Sequence, residues 1–388
     1  MRVAVIGAGI LGAAVARELA IRGVRVTVLE ERYPGYGTSS TSFAWTNSHN
    51  KEPDSYHRLN VEGCAEHERL AADAAQTPRW YFPTGNVEWV GDADGQQVLD
   101  QRMRRLDGLG YPCRWLGRAQ VRELEPDVSL PPGVERVAYF PSEGHVWTNL
   151  LLARLLGEAR DRGAVLRWPV RVTGVERQRS AVDLAYADGD RERFDRVVSC
   201  VGRWTGDLAA ACGTHVPLAD PTEPGGAAVG LLAYTGPVPV RLSRVLTTPR
   251  LNVRPDGGGR LVLQGLDLDA TADPAQPPDT ESEVTATLTG RLTDVLPSAA
   301  PGVVESVRVG QRALPADGLT VAGFAADDER CYLAATHSGV TLGPLLGRLV
   351  ATEVADGELS PLLDGFRPQR FAGSAGAVAA PARKPGDQ

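Results

Sequence analysis

The sequence predicts an α/β protein: a Rossmann-type lobe that opens the chain, and a second lobe built on a mixed or antiparallel sheet. Three observations carry this. A strand–glycine–helix–strand pattern stands at the very beginning. The 388 residues exceed what one small core needs and suit a two-lobed fold. Residues 216–309 hold short strand-like runs separated by Gly/Pro turns.

The opening pattern is MRVAVIGAGILGAAVARELAIRGVRVTVLEE. Arg2 to Ile6 is the β-branched run of a buried parallel strand. Gly7, Gly9 and Gly12 follow as G-x-G-x-x-G. Gly7 permits a tight turn, Gly9 a close approach of pyrophosphate to backbone, and Gly12 a helix lying close to the sheet. Ala13 to Ile21 is the expected helix, its N–H groups and dipole end turned to phosphates. Val24 to Leu29 is the second strand. Glu30 ends it, 18 residues after Gly12, where an acid accepts hydrogen bonds from a ribose. Glu31 beside it reads as a solvated neighbour.

Further along, helices are expected at Ser55–Ala75, Gln96–Leu109, Ala119–Glu125, Thr148–Arg162 and Glu281–Val295, and from about Gly343 to Ala355. Strands are expected at Thr84–Val90, Val165–Val175, Ser180–Tyr186, Phe194–Cys200, Arg250–Pro255, Arg260–Gln264 and Cys331–Ala335. Tyr33–Asn50 reads as a Gly/Ser/Thr-rich loop. The tail from Ala372 lacks apolar periodicity and is expected to be disordered.

Composition excludes several classes. The formal net charge is −7, which disfavours nucleic acid as a partner. No twenty-residue apolar span appears, so no membrane span is expected, and a chain that enters its first strand at once is expected to carry no signal peptide. The five cysteines are scattered without C-x-x-C spacing, so neither a metal site nor a disulfide framework is indicated and a cytoplasmic location is expected. Only two lysines occur, Lys51 and Lys384, which leaves Lys51 alone in the folded body.

Beyond the fingerprint, three segments extend the pattern: FDRVVSCVGRWTGDL, VGQRALPADGLTVAG and CYLAATHSGVTLGPLLGRLVATEVADG. With PSEGHVWTNLLLARLLGEARDRGA they resemble, in order and spacing, the D-amino-acid oxidase superfamily of FAD enzymes, which includes glycine oxidase and sarcosine oxidase. The resemblance runs over most of residues 1–371. It implies a discontinuous FAD-binding lobe (1–80, 145–215 and 310–371), a substrate lobe (81–144 and 216–309) and FAD between them. A reduced flavin carries negative charge at one edge, and the HSGVTLGP turn before a helix supplies N–H groups and a dipole end to face it.

The resemblance implies cofactor contacts at Gly7, Gly9, Ile10, Leu11, Gly12 and Glu30. Ser39, Ser40 and Ser42 of the loop are expected at phosphate or flavin edges. Val172, Gly202 and Trp204 follow from the middle segments, and His337, Ser338, Gly339, Val340 and Thr341 from the last. Gln311 stands where some relatives link FAD through a cysteine, so the FAD is expected to be non-covalent. Arg312 occupies the place of an arginine that orients a substrate carboxylate, a task suited to its planar, permanently charged fork. Here the sequence departs from the family: Ala313 replaces the usual proline, and Gly339 or Val340 stands where glycine oxidase has a second arginine.

The stretch TSSTSFAWTNSHNKEPDSYHRLN supplies the remaining candidates. Asn47 and Asn50 are expected to contact substrate. Lys51 is expected to bind an anionic substrate or to promote attack of oxygen as a cation, and His49 is a candidate base. His145 reads as structural. The chemistry implied is oxidation of an amine or amino acid to an imine by hydride transfer to flavin N5, with O2 or another acceptor taking the electrons. Two alternatives stay open at this point: an FAD-dependent 2-hydroxy-acid dehydrogenase, and a flavin-binding subunit without turnover of its own.

Overall fold

The computed structural model describes residues 1–73, 78–300, 302–325 and 328–373. The expected disordered tail lies outside them from residue 374 onward. Arg2–Ile6 is the centre of a six-stranded sheet, flanked in parallel by Arg25–Leu29 and Arg196–Ser199. Val165–Arg167 and Asp328–Ala335 extend it in parallel, and Val321–Ala325 closes one edge antiparallel. The central strand is buried along Val3, Ala4, Val5 and Ile6, as its β-branched sequence requires.

Two helices cover one face of this sheet, Ile10–Ile21 and Gly339–Ala351. They approach through glycines. A Cβ at Gly343 would lie 2.6 Å from Ile10, and one at Gly347 would lie 2.6 Å from Ala14. Leu19, Leu342, Leu345, Leu346 and Leu349 complete the apolar cluster. The contact sets the N-terminal ends of both helices against one cleft, although the residues lie more than three hundred positions apart.

A second sheet has eight strands, drawn from Asn86–Glu88 through Arg136–Phe140 and from Val229–Thr235 through Val304–Gln311. Its pairings are antiparallel except Val245–Thr247 with Asn86–Glu88. A small ribbon of Trp45–Thr46, Gly144–Val146 and Tyr81–Phe82 ties the loop after the second strand to the rest of the fold.

Several elements differ from the sequence expectation. The Val165–Val175 run splits into Val165–Arg167, in the central sheet, and Val172–Arg177, in a three-stranded meander; Pro169 between them has no N–H for a ladder. The Phe194–Cys200 run likewise divides, with Phe194 ending a meander strand and Arg196–Ser199 entering the central sheet. The last helix starts at Gly339, four residues early, and so carries Pro344 in its interior. Proline cannot bond the Val340 carbonyl, and His67 Nε2 donates to that carbonyl at 2.8 Å instead. Burial holds His67 down to about 4, which keeps it a neutral donor. The loop expected over Tyr33–Asn50 also contains a 3-10 turn, Thr38–Ser40, and the ribbon strand Trp45–Thr46.

Candidate active site

A cleft of about 450 Å³ opens beyond the C-terminal ends of the parallel strands, lined there by Ile6, Leu29, Cys200 and Ala335. Ligands of open α/β sheets lie at this place. Gly7 turns at φ +99°, and a Cβ there would meet the Cys200 carbonyl at 2.5 Å. A Cβ on Gly12 would lie 2.0 Å from the Gly7 carbonyl, so Gly12 serves the helix–strand approach and does not line the cleft. Gly9, Ile10 and Leu11 do line it. Ser39 Oγ accepts the Ile10 N–H at 3.1 Å and would crowd any Cβ on Gly9. Glu30 closes the turn from the other strand: its carboxylate accepts the N–H groups of Ala8 and Arg32, both at 2.9 Å.

Ser42, Val172, Gly202, Trp204, His337, Gly339 and Val340 complete the expected lining of this cleft. Ser40 does not belong to it. It is exposed, and its hydroxyl donates to Gly37 in its own turn. Ser338 and Thr341 face a smaller neighbouring cavity. There the Ser338 hydroxyl pairs with that of Tyr56 at 2.8 Å, and Thr341 donates to the Trp45 carbonyl at 3.2 Å.

The smaller cavity, about 60 Å³, shares Thr38, Ser42, His337 and Val340 with the cleft. Asn47, Lys51 and Arg312 converge on it, together with Gln264 from the eight-stranded sheet. Arg312 is fixed from behind. Its guanidinium donates to the Val229 carbonyl and stands 3.3 Å from Asp269, whose other oxygen accepts the Leu231 N–H at 2.7 Å. Gly230 leaves room for the side chain, since a Cβ there would lie 2.2 Å from Nη2. Lys51 is buried, with Nζ 6.0 Å from the Tyr56 ring centroid.

His49 is not at either cavity. It is fully buried and stacked on Phe140 at 4.4 Å, with Nδ1 2.9 Å from Glu143. Nε2 stands 3.2 Å from Glu88, an ion-pair contact outside hydrogen-bond geometry. The polar loop that reads as a reactive surface therefore turns its histidine inward, and a base role loses its geometric support. Asn50 is half-buried and lines neither cavity. His145 stacks on Phe82, and burial, followed by the charges of Arg254 and Arg79, holds it down to about 3.

Sequence reasoning passes over Gln264, Asp269 and Glu143. RLVLQG had shown the strand that carries Gln264 without showing which face would meet the loop. Asp269 lies in the short 3-10 helix Leu266–Thr271, which carries no motif.

The sequence profile of the DAO family, described as FAD dependent oxidoreductase, matches residues 2–353. The chain belongs to this family. It is similar to glycine oxidase of Geobacillus kaustophilus, 27% identical over 96% of this chain and 98% of that one. The crystal structure of glycine oxidase from Geobacillus kaustophilus superposes with a TM-score of 0.82 at 23% identity, covering 96% of this chain and 100% of the other. Iminodiacetate oxidase from Chelativorans sp. BNC1 gives 0.78 at 20% identity, covering 95% and 99%. The expected fold is thus the observed one, and the protein is an FAD-dependent oxidoreductase. The cleft fits FAD: its volume suits a cofactor, and the Gly7–Gly9 turn provides a backbone surface that side chains would fill. No helix of the described residues is long and apolar enough to cross a membrane.

Proposed function

We propose that the chain oxidises a small amine or amino acid that carries a carboxylate. The observation that supports this reading most is the convergence of Arg312, Lys51, Asn47 and Gln264 on a small cavity sharing a wall with the FAD cleft. FAD, when bound, supplies the acceptor for the hydride that leaves the carbon beside nitrogen. Arg312 receives the carboxylate, with Asp269 and the Val229 carbonyl holding its fork in one plane. The amides of Asn47 and Gln264 orient the neutral amine. Oxidation of such an amine needs orientation more than a strong base, which is consistent with a buried His49. Lys51 acts as a fixed cation, either toward an anionic group of the substrate or toward oxygen.

The reading includes non-covalent FAD, because Gln311 offers no thiol and its amide is spent on the Pro221 carbonyl at 2.7 Å. It also includes a reducing, cytoplasmic setting, supported by five cysteines scattered without C-x-x-C spacing. O2 is the electron acceptor of this reading. The test is a panel of small amines, amino acids and 2-hydroxy acids added to the yellow protein without air, followed by air. Bleaching of the flavin by a carboxylate-bearing amine and its return in air are expected. Bleaching by 2-hydroxy acids alone would overturn the substrate class.

A further inference from the structure

Beside Arg171, which stands 3.8 Å from Glu31, two further arginines outside the glycine fingerprint line the FAD cleft, Arg32 and Arg203. Arg203 stands at the variable position of the Gly-Arg-Trp segment, and Arg32 follows Glu30 and Glu31. Each guanidinium lies on an aromatic ring that also lines the cleft: Arg32 is 4.4 Å from the Tyr36 centroid, and Arg203 is 4.0 Å from the Trp204 centroid. Among the described residues neither guanidinium has a carboxylate partner. The nearby acids are otherwise placed. Glu30 accepts two backbone N–H groups, and Glu31 stands 3.8 Å from Arg171. Asp207 is exposed on the helix after Trp204. Burial, eased by Tyr36, and then the like charge of Arg32 hold Arg203 below its usual value.

Two guanidiniums without a carboxylate partner suit an anion, and the same cleft holds an anion-binding feature. Gly9, Ile10 and Ser39 bring a helix N-terminus to the same cleft. Stacking fixes the plane of each guanidinium and leaves its N–H edge available, and that edge matches two phosphate oxygens. We propose that Arg32 and Arg203 together grip the diphosphate of bound FAD, adding side-chain charge to the backbone contacts of the glycine turn. The inference rests on the FAD assignment above and concerns two residues that the fingerprint does not contain.

The experiment uses the full-length chain depleted of flavin, in wild-type, Arg32→Ala, Arg203→Ala and doubly substituted form. Binding of ADP and of adenosine is measured by calorimetry at two salt concentrations, and FAD by quenching of its fluorescence. Arg32 is exposed and Arg203 half-exposed, so the variants should keep the wild-type melting temperature. Each single change should weaken ADP and FAD about tenfold, the scale of one charge-assisted contact, while adenosine binds as before. The double variant should also lose much of the salt dependence of ADP binding. Unchanged ADP affinity overturns the proposal. So does an equal loss for ADP and adenosine, which would place the arginines at the base or the sugar. A wild-type chain that binds FAD but not ADP overturns it as well, leaving the FAD assignment intact.

Discussion

His49 Nδ1 lies 2.9 Å from Glu143 Oε1, and neither side chain is exposed. The same carboxylate oxygen accepts the N–H groups of Ser48 and His49, each at 3.0 Å, and the Tyr111 hydroxyl at 2.8 Å. On its other side His49 meets Glu88, which Arg102 holds with contacts of 2.8 and 2.9 Å. Burial alone would push the imidazole down, but Glu143 and then Glu88 outweigh it and raise His49 above its ordinary value. The result is a buried row of alternating charge. It pins the backbone between Asn47 and Lys51, the two residues of this segment that reach the small cavity.

Removing His49 should therefore cost stability more than chemistry. His49→Ala leaves two buried carboxylates short of a cation, a loss of about 3–5 kcal/mol. A thermal melt should show it directly. At a temperature where the variant is folded, flavin reduction should change far less than the hundredfold or greater loss expected on deleting a general base.

The row also predicts a pH profile of stability. His49 is raised in the folded state, so its contribution is complete below about 6.5 and is lost as pH rises through the higher folded value. Glu88 runs the other way: against burial, Arg102 and His49 hold it down to about 2. Its contribution is complete above the ordinary 4.5 and fades as pH falls toward about 2. Melting temperatures across pH should fall at both ends, and His49→Ala should remove the alkaline part of the fall.

The sequence made the first lobe legible because its constraints are local. Gly7 and Gly12 are demanded by contacts with Cys200 and with Gly7 itself, and the spacing alone announces them. The last helix was harder, since Pro344 signals a break and the compensating His67 lies on another helix. The small cavity was legible only through resemblance. Arg312 could be placed by its motif, but Asp269 and Gln264 come from elements that meet it only in three dimensions. His49 misled because a polar neighbourhood in sequence says nothing of Glu143 and Glu88, which reach it from distant strands and turns.

Glu30→Ala should weaken FAD retention and spare turnover. The carboxylate ties Ala8 and Arg32 to the end of the second strand, at the cleft wall. Losing it should cost about 1–3 kcal/mol, or roughly ten- to a hundredfold in affinity. Saturating FAD should restore the rate. If it does not, Glu30 has a part in the chemistry.

Arg312→Leu should raise KM about a hundredfold or more for a carboxylate substrate, because truncating one buried charged partner costs about 2–5 kcal/mol. Arg312→Lys should recover little, since a single ammonium cannot reproduce the fork. The structure adds a control. Asp269→Asn keeps the guanidinium in place but removes a competing negative charge, so KM should change much less than in the leucine variant. Steady-state kinetics on all three decide the matter, and an unchanged KM in Arg312→Leu refutes the assignment.

Lys51 carries the boldest prediction. It is buried at the small cavity, beside Tyr56, whose hydroxyl pairs with Ser338 at the head of the last helix. A cation held there by a pinned backbone has two uses. If it serves oxygen, Lys51→Met should slow return of the flavin in air while reduction by substrate stays normal. The electrostatic effect of a desolvated cation on a forming anion is about 3 kcal/mol, so the slowing should approach a hundredfold. If it binds the substrate, the reduction step should suffer and the air step should not. Stopped-flow measurement separates the two, with wild type and Lys51→Met compared at equal flavin occupancy. A variant unchanged in both steps would remove Lys51 from the site and would reopen the question of the acceptor, since no other lysine of the described residues could take its place.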